Sequence, residues 1–177
     1  MHGEFFIVST DVVATWWGET RECGTSGMTD GNVMMRKQLL DKLVTLSEAD
    51  PEHYPVVSLD DYFSGNDQEE SIAPNAWGYG RPALKDLHQH FKQIESRPDV
   101  QGVYVGMHDE WREALDDEEL WPAAENIHVI SSAPQADVER WIDGVAADGI
   151  GPGWPYGKHE RAPEPADGSV VYTVYWD

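Results

Sequence analysis

The chain has 177 residues, the size of one domain, and folding at that length hides roughly 70% of the surface that the unfolded chain exposes. Its 33 Asp and Glu against 12 Lys and Arg leave a net charge of -21 and a pI near 4.4. Such a field repels phosphate backbones and anionic membranes and favours encounter with basic partners, so neither nucleic acid nor a membrane surface is expected as a ligand.

The first residues, Met1 to Thr10, hold a short apolar run behind Glu4, with no basic leader and no stretch long enough for a membrane span. Phe5 to Thr10 reads as a strand that Val12 to Trp17 extends after a bend, and Gly18 to Thr29 reads as a loop. Cys23 lies in that loop. As the only cysteine it closes no intramolecular disulfide, no Cys/His cluster suggests zinc, and a reducing, cytoplasmic setting is expected. Arg21 between Glu19 and Glu22 does not supply the electropositive surroundings of a reactive thiolate.

Asp30 is placed to cap a helix through about Ser47, with Val33, Leu40, Leu43 and Val44 as its apolar stripe and Met35, Leu39 and Leu46 widening it. Ser58 and Asp61 have capping-box spacing, which predicts a short helix over Leu59 to Phe63, closed by Gly65 in a left-handed cap. Asn66 to Glu70 is then a loop, and Ser71 to Asn75 a short strand confined to an edge by Pro74. Pro82 opens an amphipathic helix with Leu84, Leu87, Phe91 and Ile94 on one face, ending at Arg97 and Pro98.

Val103 to Met107 and Ile127 to Ser131 read as strands on either side of the acidic run Asp116 to Glu119. Ser132 and Gln135 match a second capping box, ahead of a helix carrying Val138, Trp141, Ile142 and Val145 and stopped by Gly149. Residues 151–168 form a Gly/Pro-rich loop, and Val170 to Trp176 is a last strand whose two apolar faces suit an interior position. The fold class is α/β (α+β): one domain over residues 1–177, a mixed sheet of about five strands with helices packed on it.

Two loops share an aromatic signature, Asn75-Ala76-Trp77-Gly78-Tyr79-Gly80 and Gly153-Trp154-Pro155-Tyr156-Gly157. Trp77, Tyr79, Trp154 and Tyr156 are rigid contact area for a partner, unless the indoles fold back to cover the sheet, as Trp more often does. His88 and His90 share a face only on a strand; on the helix expected there they diverge, so they read as solvent-exposed rather than as a metal pair. His108 and Asp109, with Glu110, follow a strand end, where ligands of open α/β sheets commonly bind, and a histidine beside a carboxylate is a base with its orienter.

The acidic stretch Asp60 to Glu70 lacks the EF-hand order, and Gly24-Thr25-Ser26-Gly27 lacks the Gly-Lys ending of a phosphate loop. No metal and no cofactor is expected.

The run Ser58-Leu59-Asp60-Asp61-Tyr62-Phe63-Ser64-Gly65-Asn66-Asp67, followed by Ser71-Ile72 and Asn75, resembles a group of uncharacterised bacterial cytoplasmic proteins. Arg97-Pro98-Asp99-Val100, Trp121-Pro122, Ser131-Ser132-Ala133 and Val138 to Trp141 are similar to later landmarks of that group, so the resemblance spans about Ser58 to Trp154. It implies no activity and transfers no functional residue. It does mark Phe63, Gly65, Asn66 and Asn75 as a common structural element.

Charge, aromatic loops and the lack of a catalytic motif together favour a non-enzymatic binding protein that captures a basic partner, as small inhibitor or immunity proteins do. The alternative is a small hydrolase or small-molecule-binding enzyme using His108 and Asp109 in a cleft between the two Trp loops. A third reading is a structural or salt-adapted domain with no selective partner.

Overall fold

The computed structural model describes residues 30–176, so the strand expected at Phe5 to Thr10, its extension to Trp17 and the Cys23 loop lie outside the described residues. Helix α1 (Asp30–Ala49) buries Arg36, Leu39, Leu40, Leu43 and Leu46. Its apolar face begins later than the sequence predicts: Val33 and Met35, assigned to the stripe, are 51% and 37% exposed. Arg36 takes the inward position instead. Its Nε donates to the carbonyl of Leu120, and Nη2 donates to those of Ala114 and Asp117, so one guanidinium satisfies three backbone acceptors of a neighbouring turn.

Strand β1 (Val56–Ser58) runs directly into helix α2 (Leu59–Phe63), which carries the predicted capping box. The Asp61 N–H donates to Ser58 Oγ at 3.1 Å while the Ser58 N–H donates to the Asp61 carboxylate at 3.3 Å. Gly65 follows with φ of 78°, a value that an L side chain rarely adopts. The edge strand expected at Ser71 to Asn75 does not form. Single 3₁₀ turns occupy Glu69–Ser71 and Pro74–Ala76, and Ile72 between them makes one isolated parallel bridge to Ala124. The run cannot stay extended because Ala73 is left-handed (φ 48°) and Pro74 offers no N–H.

Helix α3 (Leu84–Glu95) buries Leu84, Leu87, Phe91 and Ile94, the face read from the sequence. Its N-terminus is capped from a distance, the Glu69 carboxylate accepting from the Leu84 N–H at 2.9 Å. Strand β2 (Val100–Met107), a 3₁₀ turn at Asp109–Arg112, helix α4 (Glu113–Asp116) and strand β3 (Ala124–Ser131) come next. Helix α5 (Gln135–Trp141) starts without the predicted box: Pro134 stands at its N-cap, and Ser131 Oγ holds the entry turn by accepting from the Ala133 N–H. The helix stops at Trp141, well short of Gly149, and Val145 is buried in the turn that follows. Gly149–Pro152, expected as a stop and the start of a loop, is strand β4, and β5 (Val170–Tyr175) completes the sheet.

The five strands lie in the order β1-β2-β3-β5-β4, and each neighbouring pair is antiparallel. The fold class and strand number agree with the sequence reading, and β5 has the interior position expected of it, but the described sheet is antiparallel throughout rather than mixed, and β1 and β4 supply its edges. Side chains alternate across the sheet. Val57, Val103, Val105, Ile127, Val129 and Val174 face the helices in one core with Leu43, Leu59, Leu87, Phe91 and Val138. The opposite face carries Gly106, Asn126, His128, Ile130, Val171 and Thr173. Among the described residues no helix covers that face; the loop after β4 lies on it, its Trp154 ring packing on His128 at 4.4 Å between centroids.

The capping box gives a direct test of the α2 assignment. Ser58→Ala removes one reciprocal cap, and urea unfolding followed by circular dichroism should show a loss of about 1 kcal/mol.

Candidate functional site

Three concave regions sit around the start of β3. The largest is a cleft of about 610 Å³ between the 3₁₀ turns of residues 69–76 and the segment 110–123. Its walls hold the carboxylates of Glu69, Glu70, Glu110, Glu113 and Glu119 and the indoles of Trp77 and Trp121. Two of these groups are committed to structure. Glu69 pairs with the buried Arg81 at 3.0 Å while capping α3, and Trp121 is buried, its Nε1 without a hydrogen-bond partner among the described residues. Glu70, Glu113 and Glu119 are exposed, and none forms an ion pair with a described residue. Trp77 is half-buried beneath the Arg81 guanidinium at 4.8 Å, and Tyr79 next to it is 87% exposed.

An adjoining cleft of about 250 Å³ shares Glu70, Ser71, Glu110 and Ala123 with the first and adds Asn75, His108, Glu125 and Trp176. His108 lines this space and Asp109 does not. His108 Nδ1 accepts from the Glu110 N–H at 3.2 Å as the cap of the 3₁₀ turn, with Asp109 Oδ1 at 3.0 Å. Among the described residues its partners are thus its own two successors, and no hydroxyl shares a hydrogen bond with it. The pair closes a turn.

The third region lies on the loop-covered face. Thr173 Oγ1 donates to the carbonyl of Gly153 at 2.6 Å, which leaves it to accept from His128 Nδ1 at 2.7 Å. That fixes the tautomer: the proton is on Nδ1 and Nε2 keeps its lone pair. Burial pushes the His128 pKa down to about 3, so the ring is neutral near pH 7. Beside it, Asn126 is buried with its Oδ1 lacking any partner among the described residues. A void of about 10 Å³ is lined by these two side chains, Gly106, Tyr54, Trp154 and Tyr156.

The two aromatic loops therefore serve different regions. Trp77 lines the acidic cleft, whereas Trp154 lies over His128, and Tyr156 is half-exposed, its hydroxyl donating to Glu125 and its ring 5.3 Å from that of Tyr54. In the element around Phe63, the turn is tied by Asn66, whose Oδ1 accepts from the Gln68 N–H and whose Nδ2 donates to Ser71 Oγ. Phe63 is buried, and Asn75 is exposed on the wall of the smaller cleft.

His88 and His90, read as solvent-exposed, are both half-buried on α3. His88 stacks on Phe63 at 4.8 Å and 8°; burial lowers its pKa, against the pull of Asp60 at 3.4 Å. His90 Nε2 donates to the Trp141 carbonyl at 2.6 Å. Helix-to-helix packing, which a helical wheel does not show, explains both. Among the described residues no cluster of three or more His, Cys, Asp or Glu is placed to hold a metal ion, and no helix is long and apolar enough to cross a membrane.

Sequence reasoning missed Glu69, Glu113, Trp121, Asn126 and His128. The last two had a signal, since polar side chains alternate with Ile127 and Val129 on a strand that is buried from Asn126 to Ser131. The first three are brought together by chain segments distant in sequence.

Together these features define a single-sheet α/β protein, helix-packed on one face and loop-covered on the other, with an acidic aromatic cleft at one end of its central strands. The chain belongs to the family described as the uncharacterized protein YfbO family, whose sequence model matches residues 34–174. It is 29% identical over 124 residues, 70% of this chain and 83% of the relative, to the uncharacterized protein YfbO of Escherichia coli (strain K12). These matches agree with the resemblance to an uncharacterised bacterial group. No solved structure matches the chain.

The buried histidine makes stability depend on pH. Because the folded pKa of His128 lies below its ordinary value, the unfolded chain takes up a proton below about pH 6.5 that the folded chain refuses. Its stabilising contribution is whole above that pH and declines as the pH falls toward 3. Urea unfolding at pH 7 and pH 5 should differ through this group by about 2 kcal/mol, a difference that His128→Gln removes.

Proposed function

We propose that the protein is a non-enzymatic binding protein that captures a basic partner, engaging its cationic side chains in the acidic cleft. The observation that carries this reading is the convergence of exposed carboxylates of Glu70, Glu110, Glu113 and Glu119 with the Trp77 ring in one concave surface. Like charges held together in a cleft cost stability, and they focus the field of a chain that is already strongly acidic. A guanidinium or ammonium entering the cleft relieves that repulsion and finds an aromatic face beside the carboxylates.

Electrostatics then set the encounter rate, and short-range contact with Trp77 and the exposed Tyr79 sets the lifetime of the complex. Trp154 and Tyr156 do not line this cleft, so in this reading they are not part of the contact. The enzymatic alternative at His108 and Asp109 gains no support from a geometry in which His108 Nδ1 caps its own 3₁₀ turn and Asp109 lies off the cleft.

Titration calorimetry with an oligo-arginine peptide tests the reading. Saturable binding should weaken about tenfold between about 0.05 M and about 0.5 M salt, because the Debye length shrinks over that range. Trp77→Ala should cost about another factor of ten at either salt, and Glu110→Gln with Glu113→Gln should flatten the salt dependence. Binding that survives all three substitutions unchanged would place the contact elsewhere and sink the proposal.

A further inference from the structure

The void on the loop-covered face has the chemistry of a site rather than of a packing gap. Its base is set by Gly106: a Cβ there would meet Asn126 Oδ1 and His128 Nε2, the latter at 2.6 Å, closer than real Cβ contacts come. Two acceptors from adjacent outward positions of one strand therefore point at a single spot, and only glycine on the neighbouring strand leaves that spot open. Asn126 Oδ1 is buried without a hydrogen-bond partner among the described residues, the hydrogen bond of the His128 ring runs from Nδ1 to Thr173 and leaves Nε2 facing the same spot, and both residues are only 3% exposed. Burying the Asn126 oxygen unpaired is costly, and a donor placed between it and His128 Nε2 satisfies both.

The occupant can be specified further. The space is about 10 Å³, room for one water-sized group. The Thr173 relay makes His128 an acceptor at Nε2, so the occupant must bring at least two hydrogens and needs no acceptor of its own. The remaining walls are the rings of Tyr54, Trp154 and Tyr156, whose faces favour a cation, and Glu125 holds the Tyr156 hydroxyl at the rim. Pro155, Tyr156 and Gly157 at that rim are exposed to solvent, which gives the group an entrance.

We propose that this pocket binds the primary ammonium group of a small organic amine, with N–H donors shared by Asn126 Oδ1 and His128 Nε2 and the alkyl portion leaving between the rings of Trp154 and Tyr156. The site stands apart from the acidic cleft and does not depend on the peptide reading of that cleft.

Nitrogen-15 spectra of the histidine side chains test it on the intact chain. Methylammonium chloride should move the His128 Nε2 resonance saturably, while tetramethylammonium chloride at equal concentration, a cation without N–H donors, should not. Asn126→Ala should weaken the methylammonium response about tenfold, the effect of one lost hydrogen bond to a charged group. Equal responses to the two salts would show mere ionic screening and overturn the site. So would a proton found on Nε2, or a coupling showing that the Asn126 amide donates to His128 directly, since either fills the spot from within. No response to methylammonium leaves water as the sole occupant and also overturns it. The wild-type spectra decide these outcomes even if Asn126→Ala does not fold.

Discussion

The imidazole of His159 sits fully buried between helix α1 and the long loop, donating from Nε2 to the Leu46 carbonyl at 3.1 Å while its Nδ1 accepts from the Arg161 N–H. Both ring nitrogens are thus spent on backbone groups, one near each end of the junction. Asp50 adds a second tie at the same place, accepting from the Glu160 N–H at 2.9 Å and facing His53 Nδ1 at 2.9 Å. Burial works against the Asp50 charge, but those hydrogen bonds outweigh it and hold the carboxyl below the usual carboxylate range. A Gly/Pro-rich segment with no regular structure of its own is fixed in this way against the sheet.

The rest of the architecture follows from that fixation. A five-stranded antiparallel sheet has two faces, and among the described residues only one receives helices. The other would leave Ile130 and Val171 in water; with the loop in place both are buried, along with Ala162 from the loop itself. Gln101 reinforces the contact by donating to the Glu164 carbonyl and accepting from the Ala166 N–H. Because the cover is a loop rather than a helix, it meets the strands through backbone carbonyls and aromatic rings. That is how a polar trio, Asn126, His128 and Thr173, comes to be buried there.

The concave regions are distributed accordingly. The acidic cleft arises where four separate segments meet at one end of β2 and β3; His108 caps the short turn that carries Glu110, and Glu69 on the facing wall caps α3. The loop-covered pocket is small and lined by neutral side chains, while the cleft is wide and lined by carboxylates. The two regions differ in what they present: one a set of exposed carboxylates beside an indole, the other a pair of inward-facing acceptors.

The sequence by itself determined the elements whose stabilising interactions are local. The Ser58 and Asp61 box, the left-handed Gly65, the α3 stripe and the interior character of β5 all rest on contacts within a few residues or on strict periodicity. The acidic field and the aromatic loop signature were legible for the same reason, since composition and local pattern carry them. Tertiary structure alone decided the rest. Val56 to Ser58 and Gly149 to Pro152 are strands only because β2 and β5 pair with them; a run such as Gly-Ile-Gly-Pro has no propensity of its own for an extended state. Arg36 replaced an apolar residue in the core because three carbonyls some 80 residues away in sequence needed donors. The candidate sites belong to the second class: Glu69 meets Glu113, and Gly106 meets Asn126 and His128, through the antiparallel return of the chain, and no sequence spacing encodes that meeting.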